Sequence, residues 1–195
     1  MLGDQYGGWV LNAFPDRKSS GFSLIELMVG IVVMAILVAL AMPSFQIMLR
    51  NSEVRAAAES ITNGLQRARA EAVARNTNVQ FVLGAYPPDC TVAGSSWTVD
   101  YVNKPVATDP PIDARCSTEG STHVSINVTP ATATTVTFSS LGIVIGNQDG
   151  SAPLTQVDLN ADGASQNLRV EVGPGGNAKM CDPNLPAGST SPSAC

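Results

Sequence analysis

Residues 21–45 read GFSLIELMVGIVVMAILVALAMPSF, and how this stretch is read decides the fold. From Leu27 to Leu49 there are 23 consecutive residues without a charge. As a helix they extend about 35 Å at 1.5 Å per residue, enough to cross the hydrocarbon core of a bilayer. The apolar core of an ordinary cleaved secretory signal is only about 7 to 15 residues long, so the run reads as an anchor. Two residues do not fit a plain anchor. Glu26 places a carboxylate at the apolar edge, which is costly without a partner. Pro43 removes a backbone hydrogen bond, so a kink or local unwinding is expected there.

Working outward, Arg50, Glu53 and Arg55 end the apolar run but not the helical pattern. Val54, Ala58, Ile61, Leu65, Ala68 and Ala72 recur at steps of three and four, the stripe that a helix buries against a globular partner. Arg55 with Glu59, Arg67 with Glu71 and Glu71 with Arg75 are spaced for weak pairing on the helix surface. The spacing predicts one helix of about fifty residues, from near Phe22 to near Arg75, apolar all round in its first half and on one side in its second. Residues 1–20, with Asp4, Asp16, Arg17 and Lys18 among Gly, Pro and Ser, show no folding period and read as a leader.

The chain has 195 residues and a net charge of −5, which allows one ordinary domain beside the anchor. From Asn76 onward four cations (Lys104, Arg115, Arg169, Lys179) face ten acidic residues, a field that disfavours polyanions. Cys90, Cys116, Cys181 and Cys195 form no C-x-x-C pair, so neither a zinc ribbon nor a redox dithiol is supported. Export makes disulfides the expectation. Three pairings are open; Cys90 with Cys116 and Cys181 with Cys195 join chain neighbours across turn-rich loops.

After Arg75 the period shifts from 3.6 to 2. Strands are expected over 79–83, 97–102, 123–128, 135–138, 155–159 and 168–172, separated by turns such as Tyr86-Pro-Pro-Asp89, Thr108-Asp-Pro-Pro111 and Gly173-Pro-Gly-Gly176. The fold class is α+β: a long N-terminal helix docked on a mainly antiparallel β head, as two packed sheets or one curved sheet. No internal repeat is evident.

Lys18-Ser-Ser-Gly21 followed by Phe22-Ser-Leu-Ile-Glu26-Leu-Met-Val resembles the class III signal of type IV pilins and type II secretion pseudopilins. The resemblance implies a prepilin peptidase cut between Gly21 and Phe22 and N-methylation of Phe22. It also implies that Glu26 meets the N-terminal amine of a neighbouring subunit within a bundle of apolar helices, where low dielectric strengthens the pair. Ala56-Ala-Ala-Glu59, Leu65 through Asn76, Val136-Thr-Phe-Ser-Ser-Leu-Gly142, Leu168 through Gly173 and Cys181-Asp-Pro183 are similar to the FimT, FimU and GspH group of minor pilins and pseudopilins. The implied organisation is a leader over 1–21, a membrane and assembly helix over 22–49, an amphipathic helix over 50–77 and a β-rich head over 78–195. The implied location is the bacterial inner membrane, single-pass with a periplasmic head, and then a pilus or pseudopilus. The implied partners are other pilins, the prepilin peptidase and the inner membrane.

His123, the one histidine, stands in no nucleophile context and reads as structural. Asp158-Leu-Asn160-Ala-Asp162-Gly163 matches the first half of a calcium loop. The acid expected at the twelfth position is Arg169, so a hairpin turn competes with calcium for these residues. Some FimT-like pilins bind DNA through a Gly-Arg-x-Arg motif, whose counterpart here is Gly176-Asn-Ala-Lys179; Lys179, Arg169 and Arg115 are the candidate contacts. No cofactor is otherwise expected. The leading function is a non-enzymatic minor pilin or pseudopilin that starts or caps assembly, with a DNA-binding minor pilin of DNA uptake as the alternative. An anchored hydrolase is a third class, for which no catalytic constellation is found.

Overall fold

The computed structural model describes residues 21–84, 90, 94–104, 106, 108–186 and 188–195. The leader residues 1–20 and the turn at Tyr86–Asp89 lie outside them. Helix α1 spans Leu24–Ala74, 51 residues. The chain forms two compact units that divide between Ala41 and Met42. In the first, every described residue is exposed, including the whole apolar run up to the boundary. Helical structure passes through Pro43 without interruption, so the local unwinding expected there does not occur. Proline removes the single bond to the carbonyl four residues earlier, and the neighbouring turns continue.

In the second unit, burial on α1 falls on Val54, Ala57, Ala58, Ser60, Ile61, Gly64, Leu65, Ala68 and Ala72, which contains the whole predicted stripe. The helix ends because Asn76 adopts a left-handed φ of 51°. There the Asn76 N–H donates to Val73 O at 3.3 Å and the Thr77 N–H to Ala72 O at 3.1 Å. These are the two bonds that satisfy the last carbonyls of a helix, and asparagine tolerates the left-handed site better than most residues.

Among the described residues, nine strands follow. Strands β1 (Val79–Leu83), β2 (Trp97–Tyr101), β3 (Asp113–Arg115), β5 (Thr135–Phe138) and β6 (Val144–Ile145) form one sheet in the order β3-β2-β1-β5-β6. Strands β4 (Val124–Thr129), β7 (Gln156–Ala161), β8 (Leu168–Val172) and β9 (Ala178–Cys181) form the second in the order β4-β7-β8-β9. All pairings within both sheets are antiparallel. Strands β1, β7 and β8 alternate strictly between buried and half-buried residues, as a sheet with one face on a core requires. The two sheets and the second half of α1 share one core, with Phe81, Phe138, Ile61, Leu65, Leu154, Leu159 and Val170 essentially without solvent contact. Each such side chain contributes about 1.5–3 kcal/mol of apolar burial.

Gly64 sets the distance between helix and sheet. A Cβ there would lie 2.8 Å from Phe81 Cε2 and 2.9 Å from two ring atoms of Trp97. The Trp97 indole N–H donates to Ser60 Oγ at 2.9 Å, so the ring that fills the space above Gly64 is also tied to the helix one turn earlier. Two disulfides, Cys90–Cys116 and Cys181–Cys195, have Cα separations of 5.7 and 5.0 Å, within the range a disulfide bridges. The pairing of chain neighbours is the one formed.

At the far end of α1, Glu71 accepts from Arg75 Nε at 2.6 Å and pairs with Arg67 at 3.0 Å, while the Arg75 guanidinium lies 5.7 Å from the centre of the Tyr101 ring. The hydrogen bond from Arg75 holds the Glu71 carboxyl below its ordinary value of 4.5; burial opposes this and the charges of Arg67 and Arg75 reinforce it. A depressed carboxyl contributes stability that is present above its unfolded value and lost as pH falls through its folded value. Melting temperature is therefore expected to fall as pH drops below about 4.5. Glu71→Gln is expected to flatten that fall, and an unchanged pH profile in the variant would remove Glu71 from the account.

Candidate assembly site

The front of α1 is built from its first residues. Gly21, Phe22 and Ser23 precede the helix and are exposed. The Glu26 N–H donates to Ser23 Oγ at 3.3 Å and the Leu27 N–H to Ser23 O at 3.1 Å. Ser23 therefore caps the helix, and Glu26 stands three positions further on, in the S-x-x-E pattern of a capping box. Its carboxylate is in the first turn, where the helix dipole is positive. Serine and glutamate at this spacing are visible in the sequence as a cap, a signal the charge-pair reading of Glu26 passed over. Among the described residues, a Cβ at Gly21 would meet no atom within 4 Å.

The other candidate residues are dispersed. Asp158 and Asn160 lie two apart on β7, on its half-buried face, with Asp162 and Gly163 in the turn that leads towards β8. The Asp158 carboxylate accepts from Arg169 Nε at 2.6 Å and Nη2 at 3.3 Å, and from Gln156 Nε2 at 2.7 Å. Two of the three calcium candidates thus stand on an extended strand, one of them engaged by the arginine across the ladder. Addition of millimolar calcium is expected to leave the melting temperature unchanged, whereas a rise of several degrees would restore the ion.

Arg169 and Lys179 are on adjacent strands of the second sheet, with Lys179 opposite Glu171 and its Nζ donating to Ala194 O at 2.8 Å. Arg115 is on β3, at the edge of the other sheet, 3.5 Å from Glu119. The structure therefore groups Arg169 with Lys179, each already bonded within the chain, and places Arg115 elsewhere. His123 is exposed, its Nδ1 3.2 Å from both carboxylate oxygens of Glu53; no hydroxyl or thiol is bonded to it among the described residues.

The sequence profile described as "Type II transport protein GspH" matches residues 57–179, from the striped half of α1 to β9. The chain belongs to the GspH family. A second profile, the prokaryotic N-terminal methylation motif, matches residues 16–42, across Gly21, Phe22 and Glu26. This GspH-family chain is thus a minor pilin or pseudopilin of the FimT, FimU and GspH group. Solved structures similar to it include the type IV minor pilin FimU of Pseudomonas aeruginosa, 16% identical over 73% of this chain and 96% of that one, with a TM-score of 0.48. They also include the minor pseudopilin EpsH from the type 2 secretion system of Vibrio cholerae, 14% identical over 68% of this chain and 99% of that one, with a TM-score of 0.45. Among curated proteins, none matches the chain.

Proposed function

We propose that the chain is a structural, non-catalytic subunit that initiates or caps a type IV pilus or a type II secretion pseudopilus. It is cut between Gly21 and Phe22 and methylated on Phe22. It waits in the inner membrane with its head in the periplasm, and it enters the assembly through Glu26. The observation that carries this reading is the contrast along one helix. Residues 22–49 are uncharged apart from Glu26, predominantly apolar, and exposed throughout, whereas from Val54 one side of the same helix is buried under a β head. A face that apolar is stable only against lipid or against other helices like itself, and a pilin uses both in turn.

Deletion of the gene followed by separate assays of twitching, protein secretion and DNA uptake tests the reading. Loss of twitching or of secretion, restored by the wild-type chain, is the expected result. Wild-type behaviour in both, with loss of DNA uptake alone, would overturn it in favour of a subunit dedicated to uptake.

A further inference from the structure

Past Leu49, the large apolar side chains that are exposed among the described residues are Val73, Val106, Leu141 and Ile143. Three of these four belong to neighbouring segments. A Cβ on Gly142 would lie 3.1 Å from Val73 Cγ2, so the turn joining β5 to β6 rests on the end of α1, and Leu141 and Ile143 flank that glycine in the chain. Leu141 is 78% exposed, and the turn does not require leucine; the residue it requires is Gly142, at a φ of 74°.

The turn is held from three directions. The Gly142 N–H donates to Ser139 O at 2.8 Å and the Ser139 N–H to Ile143 O at 2.9 Å. Arg69 Nε donates to Gly142 O at 2.9 Å. On the third side, a Cβ on Gly176 would come within 2.0 Å of that same oxygen, so the 173–177 turn packs backbone against backbone, and the Val144 N–H donates to Pro174 O at 3.0 Å. A leucine displayed on a turn this constrained loses little further freedom on binding, which is how a small apolar contact becomes an anchor.

We propose that Leu141, Ile143 and Val73 form a docking surface for the β head of the neighbouring subunit in the assembly; the inference rests on the reading that the chain is an assembled pilin. Two observations choose this occupant. Val73 ends the exposed stripe of α1 that runs from Ser52 through Glu59, Asn63 and Gln66, so the surface continues the helix whose first half is the assembly element. Charge is also divided in a complementary way. Residues 50–75 carry five arginines against three glutamates, whereas residues 76–195 carry four cations against ten acids. The helix of one subunit, which supplies Val73 and Arg69 to this surface, therefore attracts the β head of a subunit built like it. Arg69, whose Nε donates to Gly142 O beside the turn, is the cation that this surface presents.

The test uses the full-length chain in its own cells, with a photocrosslinking phenylalanine analogue at position 141 and, separately, the double variant Leu141→Ser, Ile143→Ser. The expected product is a covalent adduct between position 141 and the β head of a protein that itself carries the N-terminal methylation motif. The double variant is expected to keep wild-type protease resistance and processing, and to be incorporated about tenfold less or lower, as loss of an anchor residue pair implies. Adducts to lipid or nucleic acid, adducts only within the same chain, or undiminished incorporation of the double variant would overturn the surface while leaving the pilin reading intact. If the wild-type chain is neither processed nor found with other pilins, both readings fall together.

Discussion

Gly64→Val is expected to lower the stability of the head by about 3 kcal/mol or more, the upper range for overpacking a core with a β-branched side chain. The new Cβ would stand 2.8 Å from Phe81 Cε2 and 2.9 Å from Trp97 Cδ2 and Cε2, and neither ring has room to yield. Phe81 is fully buried, Trp97 almost so, and the two rings are themselves 5.7 Å apart. Moving the indole would also release its bond to Ser60, leaving a buried donor unpaired at a further cost of about 1–3 kcal/mol. Gly64→Ala separates this packing term from helix propensity. Alanine gains about 1 kcal/mol over glycine inside a helix, so a net loss in that variant means that the contact outweighs the backbone. Thermal unfolding followed by circular dichroism reads both variants. A valine variant as stable as wild type would mean that helix and sheet are further apart than described here.

Glu26→Ala carries the other large expectation, in assembly rather than in stability. The Glu26 side chain is exposed in the single chain, and its residue's one described contact beyond ordinary helix bonding is its own N–H to Ser23. The head is therefore expected to melt as in wild type. In the assembly proposed above the same change would leave a neighbour's N-terminal amine without its acid among apolar helices, a loss of the kind that costs about 3–5 kcal/mol when one partner of a buried pair is removed. Incorporation is expected to drop by about a hundredfold to a few thousandfold. Ser23→Ala is the companion variant: it removes the cap at about 1 kcal/mol and spares the carboxylate, so its effect on incorporation should be far smaller. Equal incorporation of Glu26→Ala and wild type would show that Glu26 serves this subunit only as a helix-capping residue.

The parts of the fold legible in the sequence are those whose pattern is set by a long one-sided burial. The stripe from Val54 to Ala72 and the alternation in β1, β7 and β8 are direct imprints of a core on the chain, and the six expected strands are all present. Strands β3, β6 and β9 were not legible, and each lies at the edge of a sheet. Asp113–Arg115 has no buried residue and Val144–Ile145 is only two residues long. The third, Ala178–Cys181, sits where the sequence draws attention to Lys179 as a basic residue. Edge strands as short as these are specified mainly by the hydrogen bonds of their neighbours, which leave little periodic trace, whereas β4, also at an edge, is six residues long and was legible. Gly64 reads in the sequence as a weak point in a helix, and only the two rings above it show why a glycine is there. Leu141 is similar. Within Val136-Thr-Phe-Ser-Ser-Leu-Gly142 it looks like one more apolar residue of a strand motif, and its exposure follows from a turn that no local pattern announces. Gly21, Phe22 and Glu26 are the reverse case: the roles proposed for them come from the resemblance of Lys18 to Val29 to a class III signal, and those roles are addressed to other molecules rather than to this fold.

The central claim is that the apolar segment is cut at its front edge and kept. Mass spectrometry of the mature N-terminal peptide, from protein recovered from cell membranes or assemblies, tests it most directly. The expected peptide begins at Phe22 and carries one added methyl group on its amine, with residues 22–49 retained. A chain that still begins upstream of Gly21, or one cut behind the apolar run so that Glu26 is lost, would contradict the account.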